Sequence, residues 1–143
     1  MGTGANALIV GFAIGGPSTS GPESVLIRAS GPALSPFGVA GVLPDPYLRL
    51  YNSSNLIDSN AGWAGTASLK AAFAQVGAFA WPNPSSLDSA LFETLATASY
   101  SAVISGATND SGVALAEIYD ATLPGAYTPT TLRLVNLSSR VKV

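Results

Sequence analysis

Cysteine and histidine are both missing from this chain of 143 residues. Without an imidazole, neither a Ser-His-Asp nor a Cys-His arrangement can form, because each needs histidine to take the proton of the nucleophile. Structural zinc sites are excluded as well, since their ligands are thiolates and imidazoles. No other catalytic signature stands out, so the sequence predicts a protein that is not an enzyme and that carries no cofactor.

Charge is also scarce. Charged residues make up 10% of the chain, and six basic against eight acidic residues leave a net charge of −2. That balance offers no attraction for a phosphate backbone, which argues against a nucleic-acid partner. No segment approaches the ~20 consecutive apolar residues that cross a bilayer, which predicts that the chain does not insert into a membrane.

Segments with the pattern of short β-strands make up most of the sequence. The larger side chains Leu8, Val10, Phe12 and Ile14 alternate with smaller ones, the period of two typical of a strand with one buried face. Clusters of Gly, Pro, Asn and Ser separate further segments of this kind. The predicted strands are 7–14, 24–30, 47–51, 56–58, 90–95, 99–105, 113–119, 131–137 and 140–143. Eight to ten short strands with frequent turns predict an all-β fold, an antiparallel β-sandwich of the jelly-roll or immunoglobulin-like type.

One short helix interrupts the strands. Leu69, Ala72, Phe73 and Val76 follow the spacing of a helical face, with Ser68 as the predicted N-cap and Gly77 as the C-cap. We expect Phe73 and Val76 to close one end of the sandwich. The predicted core is Leu8, Val10, Phe12, Val25, Ile27, Leu48, Leu50, Phe92, Tyr100, Ile104 and Leu115. The segment from Asn52 to Asn55 predicts a hairpin turn, and the segment from Gly106 to Gly112 predicts another.

The segments VLIRASGPAL, DPYLRLYN…LIDSNAGW, AAFAQVGAFAWP and LFETL…SYSAVISGATNDSGVALAEIYD occur in that order. Together they resemble a β-sandwich repeat found in tandem in very large secreted or surface proteins of bacteria. The LYNSSNLIDSN and SYSAVISG blocks are distantly similar to the pre-peptidase C-terminal modules. The resemblance implies an extracellular structural or adhesive repeat without enzymatic activity. Where such repeats carry an acidic DNW-like turn, this chain has Ser59-Asn-Ala-Gly-Trp63, which weakens any calcium site carried over from them.

In the repeats it resembles, an RLVNLSSR-like segment opens a domain, whereas here that segment comes last. We therefore expect a sandwich domain over residues 1–120, a linker over 121–130, and a terminal strand over 131–143. In the order of the repeats, this terminal strand would be the first strand of the next domain. This strand either completes its own sandwich or enters the open edge of a neighbouring subunit. The residues predicted for assembly are Thr131, Leu132, Arg133, Leu134, Val135, Asn136, Leu137, Val141 and Val143. Within this linker, the eight-residue segment LPGAYTPT holds two prolines, which favours an extended path and hence donation between subunits.

Three further groups are weaker candidates. Asp58 and Asn60 partly match the start of a calcium loop, although an Asx-type turn explains them as well. Glu93 and Glu117 lie on predicted strands and could form an acid pair, although strand carboxylates more often pair with arginine.

Aromatic side chains are the third group. Trp63 and Trp81, with Tyr47 and Tyr127, could stack on sugar rings or could cap the core.

The resemblance and the terminal strand together predict the function. We expect a structural subunit of an extracellular bacterial fibre or surface protein, which assembles head to tail with copies of itself or with adjacent repeats. The alternative is a carbohydrate-binding or adhesion module whose partner is a polysaccharide.

Overall fold

The computed structural model describes residues 7–15, 22–108 and 110–121 together with the backbone of residues 137–142. Within these ranges the strands are β1 (Leu8–Ile14), β2 (Glu23–Ser30), β3 (Pro46–Asn52), β4 (Asn55–Asn60), β5 (Ser89–Leu95), β6 (Ala98–Gly106), β7 (Val113–Asp120) and β8 (Leu137–Lys142). A 3-10 helix, Pro32–Phe37, follows β2, and the α-helix α1, Ala67–Val76, lies between β4 and β5. The first seven predicted strands are confirmed, with ends that shift by one or two residues. The strand predicted over 140–143 is observed as β8, which begins three residues earlier, and the strand predicted over 131–137 lies outside the described residues except for Leu137.

The strands form two four-stranded sheets that pack face to face. Sheet 1 has the order β1-β6-β3-β4 and sheet 2 the order β5-β2-β7-β8. Neighbouring strands are antiparallel in both sheets. The predicted all-β antiparallel sandwich with one short helix is therefore confirmed.

Alternation along the strands builds the core between the sheets. Eight of the predicted core residues are buried there: Val10, Phe12, Val25, Ile27, Leu48, Leu50, Tyr100 and Ile104. Leu8 and Leu115 are only half-buried. Phe92 was wrongly placed in the core, since 43% of its surface is exposed. It pairs with Leu26, whose side chain belongs to the cluster on the outer face of sheet 2, so Phe92 points away from the other sheet.

Helix α1 covers the outer face of sheet 2. Phe73 packs there with Leu26, Trp63 and Trp81, and Val76 borders the same cluster. The expectation that these two helix residues close one end of the sandwich is therefore wrong. The N-cap is Thr66, whose Oγ1 accepts a hydrogen bond from the Leu69 amide, rather than Ser68. Gly77 ends the helix in the left-handed conformation, with φ of 74°, as predicted.

The two predicted hairpins have different outcomes. Strands β3 and β4 pair directly across a short turn, as predicted. Strands β6 and β7 do not pair with each other: β6 lies between β1 and β3, whereas β7 lies beside β2. The glycine-rich connection between them thus crosses from one sheet to the other. Turn-forming residues serve both kinds of connection, so local sequence does not separate them.

Candidate functional site: the β7 edge and the residues considered for binding

The outer edge of β7 is where the terminal strand lies. Strand β8 pairs antiparallel with β7, from Val113 opposite Lys142 to Ile118 opposite Leu137. On β7, Ala114, Ala116 and Ile118 face the core between the sheets and are almost completely buried. β8 therefore supplies backbone partners to a strand that is central to the packing of sheet 2.

Two residues predicted for assembly are placed on this edge. Leu137 occupies the register position opposite Ile118, and Val141 the position opposite Ala114. The pairing lies within the sheet of the same chain. Thr131, Leu132, Arg133, Leu134, Val135, Asn136 and Val143 lie outside the described residues, as do most of the predicted linker and Tyr127.

The connection between β7 and β8 is much longer than their pairing requires. The Ala121 amide donates to the Ser24 carbonyl oxygen at 2.8 Å, so the chain remains attached to sheet 2 just beyond the end of β7. Residues 122–136 then separate it from Leu137. Antiparallel neighbours are commonly joined by loops of about two to five residues. The length of this connection therefore does not compel the strand to return to its own sheet.

The proposed acid pair of Glu93 and Glu117 does not form. Glu93 pairs with Val25, which faces the inter-sheet core, whereas Glu117 pairs with Arg28, which points to the opposite face of sheet 2. The side-chain period of two puts the two carboxyl groups on opposite faces. They therefore cannot act on one glycosidic bond.

Glu117 instead belongs to a buried cluster beneath α1. The fully buried Arg28 donates from Nη2 and Nε to Glu117 Oε1 at 2.6 and 3.1 Å, and from Nη1 to the Phe79 carbonyl oxygen at 2.7 Å. Its guanidinium carbon lies 4.3–4.7 Å from the ring centres of Phe73, Phe79 and Trp81. Burial and a hydrogen bond from its hydroxyl to Glu117 raise the pKa of Tyr119 to about 12. Each of the three guanidinium nitrogens of Arg28 thus donates a hydrogen bond inside the molecule.

Glu93 lies near a different carboxyl group, Asp58 of β4, at the edge where the two sheets meet. Burial raises the pKa of Glu93 from 4.5 to about 7, helped by a hydrogen bond with Asp58 and by repulsion from its charge. The folded protein therefore holds a proton at Glu93 that the unfolded chain releases at lower pH. The stability this proton contributes is present below about pH 4.5 and is lost as the pH rises through 7.

We expect Glu93→Gln to remove this pH dependence, because glutamine stays neutral. At pH 8–9 the variant should be more stable than the wild type by about 1 kcal/mol, a value that allows for solvent screening of a partly exposed pair. At pH 4 the two proteins should be alike. Thermal unfolding between pH 4 and 9 measures the difference, and parallel curves for both proteins would contradict the assignment.

The predicted calcium ligands are engaged in local structure. Asp58 Oδ1 accepts from the Ser59 amide at 2.8 Å, an Asx-type contact. Asn60 donates to the Gly62 carbonyl oxygen at 3.0 Å and accepts from the Ala90 amide at 3.1 Å, which links β4 to β5. Both side chains therefore have structural roles. In the described part of the chain, no three His, Cys, Asp or Glu residues cluster as a metal site.

The prediction that Trp63 and Trp81 contact glycans is wrong, because both side chains are buried. Only 1% of Trp63 and 4% of Trp81 is exposed, and the rings pack edge to face at 5.2 Å. Trp63 also stacks on Phe73 at 5.4 Å. Their indole N–H groups bond to Ser86 and to Ser30, respectively, at 3.2 Å. Neither ring offers a face to a sugar.

Sequence reasoning missed two groups. The Arg28 cluster joins residues from β2, β7, α1 and the segment after α1, so no local spacing indicates it. The second group is the row of Tyr47, Arg49 and Tyr51 on the outward face of β3, where all three are half-buried. Of these residues, the sequence had indicated only Tyr47 as a possible contact for a sugar. The alternation Tyr-Leu-Arg-Leu-Tyr contains that signal, since the two leucines between them are buried.

Comparison with protein-family models, with curated proteins and with solved structures finds no match for this chain. Among the described residues, no helix has both the length and the apolar character needed to cross a membrane.

Proposed function

We propose that this chain is a non-enzymatic structural subunit of an extracellular bacterial fibre or surface protein. Copies of it assemble head to tail by donating the terminal strand to the β7 edge of the next copy. The register between β7 and β8 carries the proposal, because a strand from a second chain can form the same six backbone pairs. The exchange therefore requires no new interface.

One further observation supports donation. The connection of residues 122–136 is long enough to reach a neighbouring molecule, since an extended chain spans roughly 3.3 Å per residue. Head-to-tail contacts of this type repeat without closing, which gives filaments. The resemblance to tandem surface repeats favours the same extracellular setting.

Solution size as a function of protein concentration tests this function. We expect the intact chain to form polymers that grow with concentration. A chain lacking residues 131–143 should form none, and an added peptide of residues 131–143 should bind to it. Light scattering after size-exclusion chromatography gives the mass, and a peptide of the same composition in scrambled order is the control. An intact chain that stays monomeric at high concentration would contradict the proposal.

Carbohydrate binding is the second candidate function, at Tyr47 and Tyr51 of β3 rather than at Trp63 and Trp81. Tyr47 and Tyr51 lie on the outward face of sheet 1, with Arg49 between them and its guanidinium carbon 5.2 Å from the Tyr47 ring centre. Half-exposed aromatic rings on the outer face of a sheet can stack on sugars. Polysaccharide pull-down should then be lost in Tyr47→Ala and Tyr51→Ala and retained in Trp63→Phe.

A further inference from the structure

The outer face of sheet 1 is open at its centre. Helix α1 covers the outer face of sheet 2. On sheet 1, by contrast, the outward side chains in the middle of the two central strands, β6 and β3, are only half-buried. These side chains are Ser101, Val103, Ser105, Tyr47, Arg49 and Tyr51. A ligand can therefore reach the middle of this sheet.

Tyr47, Arg49 and Tyr51 form a row along β3. They lie two residues apart, so the row extends over roughly 13 Å at 3.3 Å per residue. The guanidinium carbon of Arg49 lies 5.2 Å from the Tyr47 ring centre, a cation–π contact. The residues opposite the row on the neighbouring strands are mostly small: Ser105, Val103, Ser101, Ser59 and Leu56. The two rings and the guanidinium group are therefore the most prominent groups at this place.

Most hydrogen-bond donors of Arg49 are unused. Nη2 donates to Ser105 Oγ at the long distance of 3.4 Å, and Nε is buried without an acceptor. Within the described residues, Nη1 has no acceptor and Arg49 forms no ion pair. Arg28, in contrast, donates from all three guanidinium nitrogens. An oxyanion bound at Arg49 would supply acceptors that the fold itself does not.

The charge of this face is positive. Asp58 is the one acidic residue in strands β1, β6, β3 and β4, and Arg49 is their one basic residue. Asp58 lies opposite the buried Leu50, so its side chain is on the other face of the sheet. The strands of sheet 1 therefore present one cation and no carboxylate on their outer face, although the chain as a whole has a net charge of −2. The complement of this face is an anion.

We propose that this row binds an acidic polysaccharide, with the rings of Tyr47 and Tyr51 stacked on sugar rings and Arg49 paired with the carboxylate of a uronic acid. The proposal rests on the carbohydrate candidate described above and names its ligand class. The planar guanidinium group suits a carboxylate, to which it can donate two parallel hydrogen bonds.

A polymer of uronic acids fits this face better than a protein partner does. Such a polymer repeats rings and carboxylates along one direction, as the row repeats ring, cation and ring. A stable protein interface buries about 800 Å² on each side around an apolar core. Here the surroundings of the row include three serines, Ser59, Ser101 and Ser105.

A pair of oligosaccharides that differ only in charge tests the ligand class. Isothermal titration calorimetry of the intact chain compares a short oligomer of galacturonic acid with its methyl ester. We expect the acid to bind roughly 10-fold more tightly, because a hydrogen bond to a charged group contributes more than one to a neutral group. Arg49→Gln should remove this preference and leave the affinity for the ester unchanged. Lys70→Gln is the matched control, because it makes the same change in net charge at an exposed position of α1 and should bind as the wild type does.

A second variant keeps Arg49 in place. Ser59 lies directly opposite Arg49 on β4, so Ser59→Glu offers the guanidinium group a carboxylate from the same chain. This variant should lose affinity for the acid, and more of it than the uncharged Ser59→Gln, which has a side chain of the same length. Thermal unfolding of each variant establishes that it is folded.

Four results would overturn the proposal. Equal affinity for acid and ester, lost for both in Tyr47→Ala, would leave the carbohydrate candidate standing and remove the role of Arg49. A preference for the acid that survives in Arg49→Gln would place the carboxylate elsewhere. Binding of neither oligosaccharide would contradict the carbohydrate candidate as well. A sugar-free chain whose mass in solution falls in Arg49→Gln would assign this face to a second copy of the protein.

Discussion

Replacing Arg28 by methionine is expected to lower the free energy of unfolding by about 3–5 kcal/mol. Methionine keeps the aliphatic stem but leaves Glu117 buried without its ion-pair partner and the Phe79 carbonyl oxygen without its donor. The contacts of the guanidinium with three aromatic rings are lost as well. Urea unfolding followed by tryptophan fluorescence measures the loss, since Trp81 lies in the same cluster.

The matched variant removes both charges. In Arg28→Met/Glu117→Leu no buried charge remains unpaired, so much of the lost stability should return. Arg28→Lys should not restore it, because an ammonium group cannot reach Glu117 and the Phe79 carbonyl oxygen in the same geometry. A loss below 1 kcal/mol in Arg28→Met would show that the pair contributes little.

The second large effect is expected for Phe73→Ala, at about 3–5 kcal/mol. Phe73 is the buried aromatic residue of α1; it stacks on Trp63 at 5.4 Å and meets Trp81 edge to face at 4.9 Å. Its removal leaves a cavity between the helix and sheet 2. Phe92→Ala is the control, because Phe92 is the same residue type on the same face of sheet 2 but is 43% exposed. Its loss should stay below about 1 kcal/mol.

These two effects should not be additive. Arg28 lies over the Phe73 ring at 4.7 Å, so either substitution weakens contacts that the other also removes. Chemical unfolding of the double variant should show a loss smaller than the sum of the single losses. Additive losses would mean that the ring and the guanidinium act independently.

Strand positions were predictable because alternation is a local property. Leu48 and Leu50 alternate with Tyr47, Arg49 and Tyr51, and this pattern alone indicates which face is buried. The partners of each strand are not local. The Gly106–Gly112 segment has the composition of a hairpin turn, yet it joins strands in different sheets. Only the packing of the whole chain decides between the two.

The same limit explains the outcome for the candidate sites. Trp63 and Trp81 flank α1 in sequence, and nothing nearby shows that they meet beneath the helix. Arg28 and Glu117 are far apart along the chain and come together because β2 and β7 are neighbours in sheet 2. A site assembled from distant segments requires the register of the sheets, which composition and spacing do not contain.

The most direct test of strand donation uses the lack of cysteine in the chain. Leu115 of β7 pairs with residue 140 of β8, and paired antiparallel residues lie about 4.5–5.5 Å apart between Cα atoms, within the range of a disulfide. Two single variants, Leu115→Cys and Arg140→Cys, are unfolded, mixed, refolded and oxidised. Donation predicts a disulfide-linked dimer that contains one chain of each variant, and a ladder of polymers from the Leu115→Cys/Arg140→Cys double variant. If the mixture gives no such dimer and the double variant gives only an internally linked monomer, the strand stays in its own sheet and the assembly account is wrong.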